Sequence, residues 1–147
     1  MRGFRFPLFV DLKDKRAVVV GGGTVACRRA AVLRDFGARV TMIAPTLLEP
    51  PEGVSQLARR YAQGDLAGAF LAVAATDDRD VNRAVGEEAG ALGIPVSVAD
   101  APGECTFFFP AICLGEGVVA GVVSRGNDHK KTARAAQRVR EAWRDLE

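Results

Sequence analysis

The chain has 147 residues, 48% of them hydrophobic, with a formal net charge of +2, three cysteines and one histidine. That is enough to bury one substantial core but hardly two, and it excludes a global basic field for nucleic acid, a disulfide framework and a His-rich metal site. No apolar run reaches the roughly 20 residues of a membrane span, and MRGFRFPLFVDLKDKR lacks the features of a secretory signal, so a cytoplasmic protein with no membrane partner and no metal is expected, its Cys27, Cys105 and Cys113 acting as small apolar residues.

Val18, Val19 and Val20 predict a buried strand, and Val25, Ala26, Ala30, Leu33 and Phe36 recur at helical spacing, so the chain must reverse within Gly21-Gly22-Gly23. Gly37 closes that helix, and Arg39 to Ala44 reads as a second strand ended by Pro45. A weak third strand is expected over Leu57 to Tyr61 and a stronger one over Phe70 to Ala75. Asp80 to Leu92 reads as a helix with Asp77 or Asp78 as its cap and Gly93 at its end, before a strand from Pro95 to Ala99. Strands apolar on both faces, alternating with helices, predict an α/β, Rossmann-like parallel sheet with helices on both faces.

The pattern changes from Phe107 onward. Ala111 to Leu114 and Val118 to Ser124 read as a hairpin joined by Gly115-Glu116-Gly117, and Asp128 caps a last helix whose face carries Ala133, Ala136, Val139, Ala142 and Trp143. The expected division is a dinucleotide-binding domain over residues 1–104 and a small hairpin-plus-helix dimerisation element over 105–147. So apolar a hairpin predicts a homodimer through Ala111 to Ser124, unless the last helix covers both strands within one subunit.

Gly21-Gly22-Gly23-Thr24-Val25-Ala26 fits G-x-G-x-x-A, in which the glycines allow a tight turn and a close approach of pyrophosphate to the N–H groups opening a helix. NAD is therefore expected against Gly21, Gly22, Gly23, Thr24 and Val25, with Pro45, Thr46 and Thr76 around its adenosine half. The second strand ends in Ala44-Pro45-Thr46, without the acid that usually meets the ribose, so the residues leave NAD against NADP open. Asp77 and Asp78 read as caps rather than a catalytic pair. Asp100 follows a strand at the carboxyl edge of the sheet, where it serves either as a strand-ending turn residue or as a base. Arg125, His129, Lys130, Lys131 and Arg134 gather around the start of the last helix, suited to an acidic ligand or to a solvated face.

Several stretches together resemble the precorrin-2 dehydrogenase module of siroheme synthase: PLFVDLKDKRAVVVGGGTVACRRAAVLRDFGARVTMIAP, FLAVAATDDRDVNRAV, IPVSVADAPGECTFFFPAI and VVAGVVSRGN. The resemblance covers nearly the whole chain, and the family also ends its second strand in Ala-Pro or similar. It implies NAD-dependent oxidation of precorrin-2, which carries eight carboxylates, to sirohydrochlorin on the route to siroheme. Asp100 then falls on the family's catalytic aspartate, and Ser124, Arg125, His129, Lys130 and Lys131 become candidates for the substrate. Ser124 matches a serine phosphorylated in some relatives, but no modification is expected here. Ser124-Arg125-Gly126-Asn127-Asp128-His129 stands where the family often has Ser-Gly-Gly-x-Ser-Pro, and with one histidine the iron insertion performed by some members is not carried over. The competing reading is a regulatory module that binds NAD or a nucleotide without chemistry.

Overall fold

Five short strands, each too apolar to face water, account for the centre of the chain. In the computed structural model, which describes residues 1–144, Arg16–Val20 forms β1, and Val18, Val19 and Val20 are essentially inaccessible. The other four strands of its sheet are β2 (Arg39–Ile43), β3 (Ser55–Leu57), β4 (Leu71–Ala74) and β5 (Val96–Val98). They lie in the order β3-β2-β1-β4-β5, all parallel, so the chain runs outward from β1 to β3 and then returns to the other side of β1. That reversal of strand order is the switch point at which open α/β sheets hold their ligands, beyond the carboxyl ends of the strands.

Helix α1 (Thr24–Asp35) packs on β1 and β2 through Ala26, Ala30 and Leu33. Val25 and Phe36, expected on that buried face, are 38% and 37% exposed, because they stand at the two ends of the helix, beyond the reach of the sheet. Helix α2 (Arg79–Leu92) covers β4 and β5, burying Val85 and Ala89 against Val18, Val20, Val96 and Val98. Its cap is Asp78, whose carboxylate accepts from the N–H of Asp80 and Val81, and Gly93 closes it in the left-handed conformation.

The third strand differs from its expected place over Leu57 to Tyr61. Ser55, Gln56 and Leu57 pair with Thr41, Met42 and Ile43, and the N–H of Ala44 donates to the Leu57 carbonyl. Beyond Leu57 the side chains pull the backbone away: Arg59 forks onto both oxygens of Asp65 at 2.8 Å, and the Tyr61 hydroxyl donates to buried Glu88 at 2.7 Å. Glu88 also accepts from the Gly64 N–H, so its desolvation is offset by two donors. Burial and its hydrogen bond to Glu88 push the Tyr61 hydroxyl well above its usual value.

The chain divides into two compact units, one over Val10–Phe107 and the other combining Met1–Phe9 with the chain from Phe108 onward. The sequence places the division after residue 104 and the first nine residues with the sheet. Instead, the N–H groups of Thr106 and Phe107 donate to the Val96 carbonyl, which holds them to the first unit. Arg5 lies 3.5 Å from the Phe108 ring centroid and donates to the Ser124 carbonyl, which ties the N-terminal segment to the second.

Within that second unit β6 (Ala111–Gly115) and β7 (Val118–Val122) form an antiparallel hairpin across the two-residue turn Glu116-Gly117. Helix α3 (His129–Arg144) lies on the hairpin through Thr132, Ala136, Val139 and Trp143, whereas Ala133 and Ala142, expected on this face, are exposed. Trp143 sets that rotation: its ring packs so close to the Gly115 backbone that a Cβ there would lie 2.8 Å from it.

The Arg59 guanidinium beside Asp65 holds its carboxyl below the usual carboxylate range, through the hydrogen bond first, while burial opposes the shift. A carboxylate depressed in the folded state stabilises above its unfolded value, about 3.9, and that contribution is lost as pH falls through the folded value. Urea unfolding followed from about pH 5 downward should therefore show wild type losing stability more steeply below about pH 4 than Asp65→Asn; equal slopes would show that the pair carries no such linkage.

Candidate functional site

Because the sheet is parallel, the carboxyl ends of β1, β2, β4 and β5 release four loops at one edge. The first is the glycine turn. Gly21 has φ 132°, and a Cβ there would lie 2.3 Å from the Ala75 carbonyl oxygen; one on Gly22 would lie 2.0 Å from that of Thr46. Neither position admits a side chain. Gly23 is different: its φ of −84° suits any residue, and a Cβ there would meet nothing within 4 Å. It is the N-cap of α1, yet supplies no side-chain acceptor, and the first turn contains no acid. The helix therefore opens with N–H donors and the positive end of its dipole uncompensated, toward empty space at the glycine turn. These features fit the pyrophosphate of a dinucleotide.

Exposed Thr24 and Val25 form the first turn of α1. Pro45 and Thr46, also exposed, follow β2, where the Leu48 N–H donates to the Gly22 carbonyl and closes the loop back on the turn. Thr76 follows β4. Its hydroxyl lies 2.7 Å from Asn82 Oδ1 and 3.0 Å from the Asp78 carbonyl, its N–H donates to Asn82 Oδ1, and Asn82 Nδ2 donates to its carbonyl. Asn82 is fully buried and acts as a splint that holds the loop in shape. It is not among the candidates named from the sequence; an asparagine in the first turn of an amphipathic helix, in the stretch AATDDRDVN, is the available signal.

Asp100 follows β5, with the Ala99 N–H still bonded to the Ala74 carbonyl. It is exposed, and its Oδ1 accepts from Arg79 Nη1 at 2.8 Å, while Arg79 Nη2 donates to Glu104 Oε2 at 2.5 Å. Arg79 and Glu104 were not singled out from the sequence; a cation at the first position of a helix was the cue, since the dipole favours acids there. Beneath this edge half-buried Arg29 of α1 reaches Ser97 Oγ of β5 at 3.4 Å, and burial lowers its guanidinium from the usual value. A hollow of about 400 Å³ beside Arg16, Arg39 and Ser55 lies at the starting ends of the strands, the wrong edge for this chemistry.

The remaining candidates belong to the second unit. The Ser124 carbonyl accepts from Arg5, and its hydroxyl is buried without a hydrogen-bond partner among the described residues. Arg125 lies 5.6 Å from the Phe4 ring centroid. His129, Lys130 and Lys131 open α3 and are exposed, the Lys131 N–H being capped by Asp128 at 2.9 Å. The first unit thus brings Asp100 and the glycine, Pro45, Thr46 and Thr76 loops to one sheet edge, and the second brings Ser124, Arg125 and the lysines to one helix terminus.

The strand order, the glycine turn and the bare helix terminus define a doubly wound dinucleotide-binding protein. The family described as "Putative NAD(P)-binding" matches residues 8–111, and the chain belongs to it. Among curated relatives, the probable multifunctional siroheme biosynthesis protein HemA of Ruminiclostridium josui is 41% identical over 143 residues, covering 92% of this chain and 28% of that protein. A siroheme synthase of Pseudomonas aeruginosa is 43% identical over 143 residues, covering 93% of this chain and 30% of its own length. The chain thus spans about three-tenths of the curated relatives it matches. A solved structure of SirC, a precorrin-2 dehydrogenase, shares the fold with a TM-score of 0.76 at 24% identity, over 95% of this chain and 71% of that one. No helix among the described residues is long and apolar enough to cross a membrane.

Proposed function

We propose that the chain catalyses the NAD-dependent dehydrogenation of precorrin-2 to sirohydrochlorin in the cytoplasm. The observation that carries this is the placement of Asp100 on the same sheet edge as the uncapped N-terminus of α1, in a chain similar over nine-tenths of its length to siroheme-forming proteins. The product has two hydrogens fewer than the substrate: one departs with its electron pair and the other as a proton. Bound NAD supplies the acceptor for the hydride. Gly21 to Val25 would hold its pyrophosphate by backbone N–H groups, and Pro45, Thr46 and Thr76 would shape the adenosine side. With its hydroxyl committed to Asn82 and the Asp78 carbonyl, Thr76 would serve there by backbone and shape.

The proton goes to Asp100. Its Oδ2 accepts no hydrogen bond among the described residues, so it is open to a C–H or N–H of the macrocycle. The acidic periphery of the substrate calls for cations, and Arg125, His129, Lys130 and Lys131 are the groups assigned to it, whereas the Ser124 hydroxyl, expected to join them, is buried and does not face solvent. We further propose a homodimer through the hairpin. Leu114, Val118 and Val119 are 67%, 52% and 39% exposed, and Phe4, Phe6 and Leu8 of the same unit 66%, 88% and 76%, large apolar side chains that association would remove from water.

Three measurements test these readings. Gly23→Asp should abolish NAD binding by calorimetry while Tm holds or rises, because an aspartate is a favourable N-cap for α1 yet fills the phosphate's approach and repels it; retained affinity refutes the placement. Asp100→Asn should keep NAD affinity and lower anaerobic precorrin-2 turnover by roughly 10²–10⁴; a wild-type rate removes the base assignment, and binding of precorrin-2 without turnover by the unaltered chain favours the regulatory reading. Sedimentation should show a dimer at tens of micromolar, a rough working range for modest interfaces, split by Val119→Asp; a monomeric wild type would sink the interface.

A further inference from the structure

Reading Asp100 as the base leaves Arg79 to be explained. It is the first residue of α2, directly after the Asp78 cap, where the positive end of the helix dipole disfavours a guanidinium. Its Nε is buried without a hydrogen-bond partner among the described residues, a second local penalty. Its two contacts do not offset these costs as stabilising ion pairs: Arg79, Asp100 and Glu104 have side chains 35%, 39% and 39% exposed, and pairs so open to solvent contribute little. Residues that break local rules without gaining stability are found where function requires them.

We propose that Arg79 is a positioning residue for Asp100, a reading that rests on Asp100 being the base. Nη1 holds Oδ1 at 2.8 Å, and Nη2 is anchored on Glu104 at 2.5 Å, so the guanidinium plane is held from both ends. With Oδ1 paired, rotamers that keep the contact are favoured, and Oδ2 is presented mainly in one direction. Glu104 belongs to the single 3₁₀ turn Pro102–Glu104 that follows Asp100, so the same fork also fixes the loop on which the base sits. A freely rotating carboxylate on an exposed loop would spend only part of its time aligned with the departing proton. Lysine can replace only part of the fork, because one ammonium can pair with Asp100 but does not span two separated carboxylates in a fixed plane.

Single-turnover NADH formation at saturating NAD and precorrin-2 provides the test, using the full chain with Asp100→Asn, Arg79→Gln, Arg79→Lys and the Arg79→Gln/Asp100→Asn double variant. Arg79→Gln should slow the step roughly 10–100-fold, a loss of alignment, while KM for precorrin-2 and Kd for NAD change by less than about twofold. Arg79→Lys should recover part of the rate, and the double variant should be no slower than Asp100→Asn alone. If Arg79→Gln turns over at the wild-type rate while Asp100→Asn is slow, the positioning role falls and the base stands. If Asp100→Asn is as fast as wild type, the base itself is wrong, and multiplied losses in the double variant would show Arg79 acting independently. A measurement that needs no turnover stands beside these: the carboxyl ¹³C resonance of Asp100 should move in Arg79→Gln, and an unmoved resonance overturns the contact even if the chain proves inactive.

Discussion

The C-terminal edge of the sheet depends on how closely three stretches of backbone approach one another at Gly21 and Gly22. The turn leaving β1 touches the Ala75 carbonyl after β4 on one side and the Thr46 carbonyl after β2 on the other, at distances no side chain could occupy. Steric contact, rather than a network of side-chain hydrogen bonds, thus sets where α1 begins and where its unpaired N–H groups point. The Asn82 splint extends this contact outward by fixing the loop that supplies the Ala75 carbonyl.

The second unit is organised by different physics. Its N-terminal segment is held by cations over aromatic rings, Arg5 on Phe108 and Arg125 on Phe4, and its helix rests on the hairpin along a seam in which, among the described residues, Ala136 of the helix and Cys113 of the hairpin are fully buried. So thin a seam leaves the basic residues of α3 free to face an acidic ligand, but it also leaves Arg125 shared between a ring and any role toward substrate. Where the first unit gains rigidity from a buried parallel sheet, this one gains it from a few contacts between partly exposed groups.

What could be read from the sequence follows from periodicity. The apolar runs at Val18–Val20, Leu71–Ala74 and Val96–Val98 are buried on both faces, and such runs admit few alternatives to a parallel sheet. Asp78, Gly93 and the turn at Gly117 carry local chemistry that needs no tertiary information. The failures have the opposite character. Arg59 bends the chain because Asp65 awaits it, Arg5 leaves the first unit because Phe108 lies 103 positions along the chain, and α3 turns on its axis because Trp143 fits the bare backbone at Gly115. Arg79 and Asn82 were missed for the same reason: their partners are set by the loops between elements, where no repeat announces them.

Cys113 is wholly inaccessible, its sulfur lying 3.4 Å from the Ala136 carbonyl where helix and hairpin meet, whereas Cys27 and Cys105 of the other unit are only partly covered. A thiol reagent can reach Cys113 only when α3 lifts from the strands, so its alkylation rate is a clock for that local opening, read against the faster reaction of the other two. The protein therefore carries its own probe for how often the helix parts from the hairpin, with no label to add.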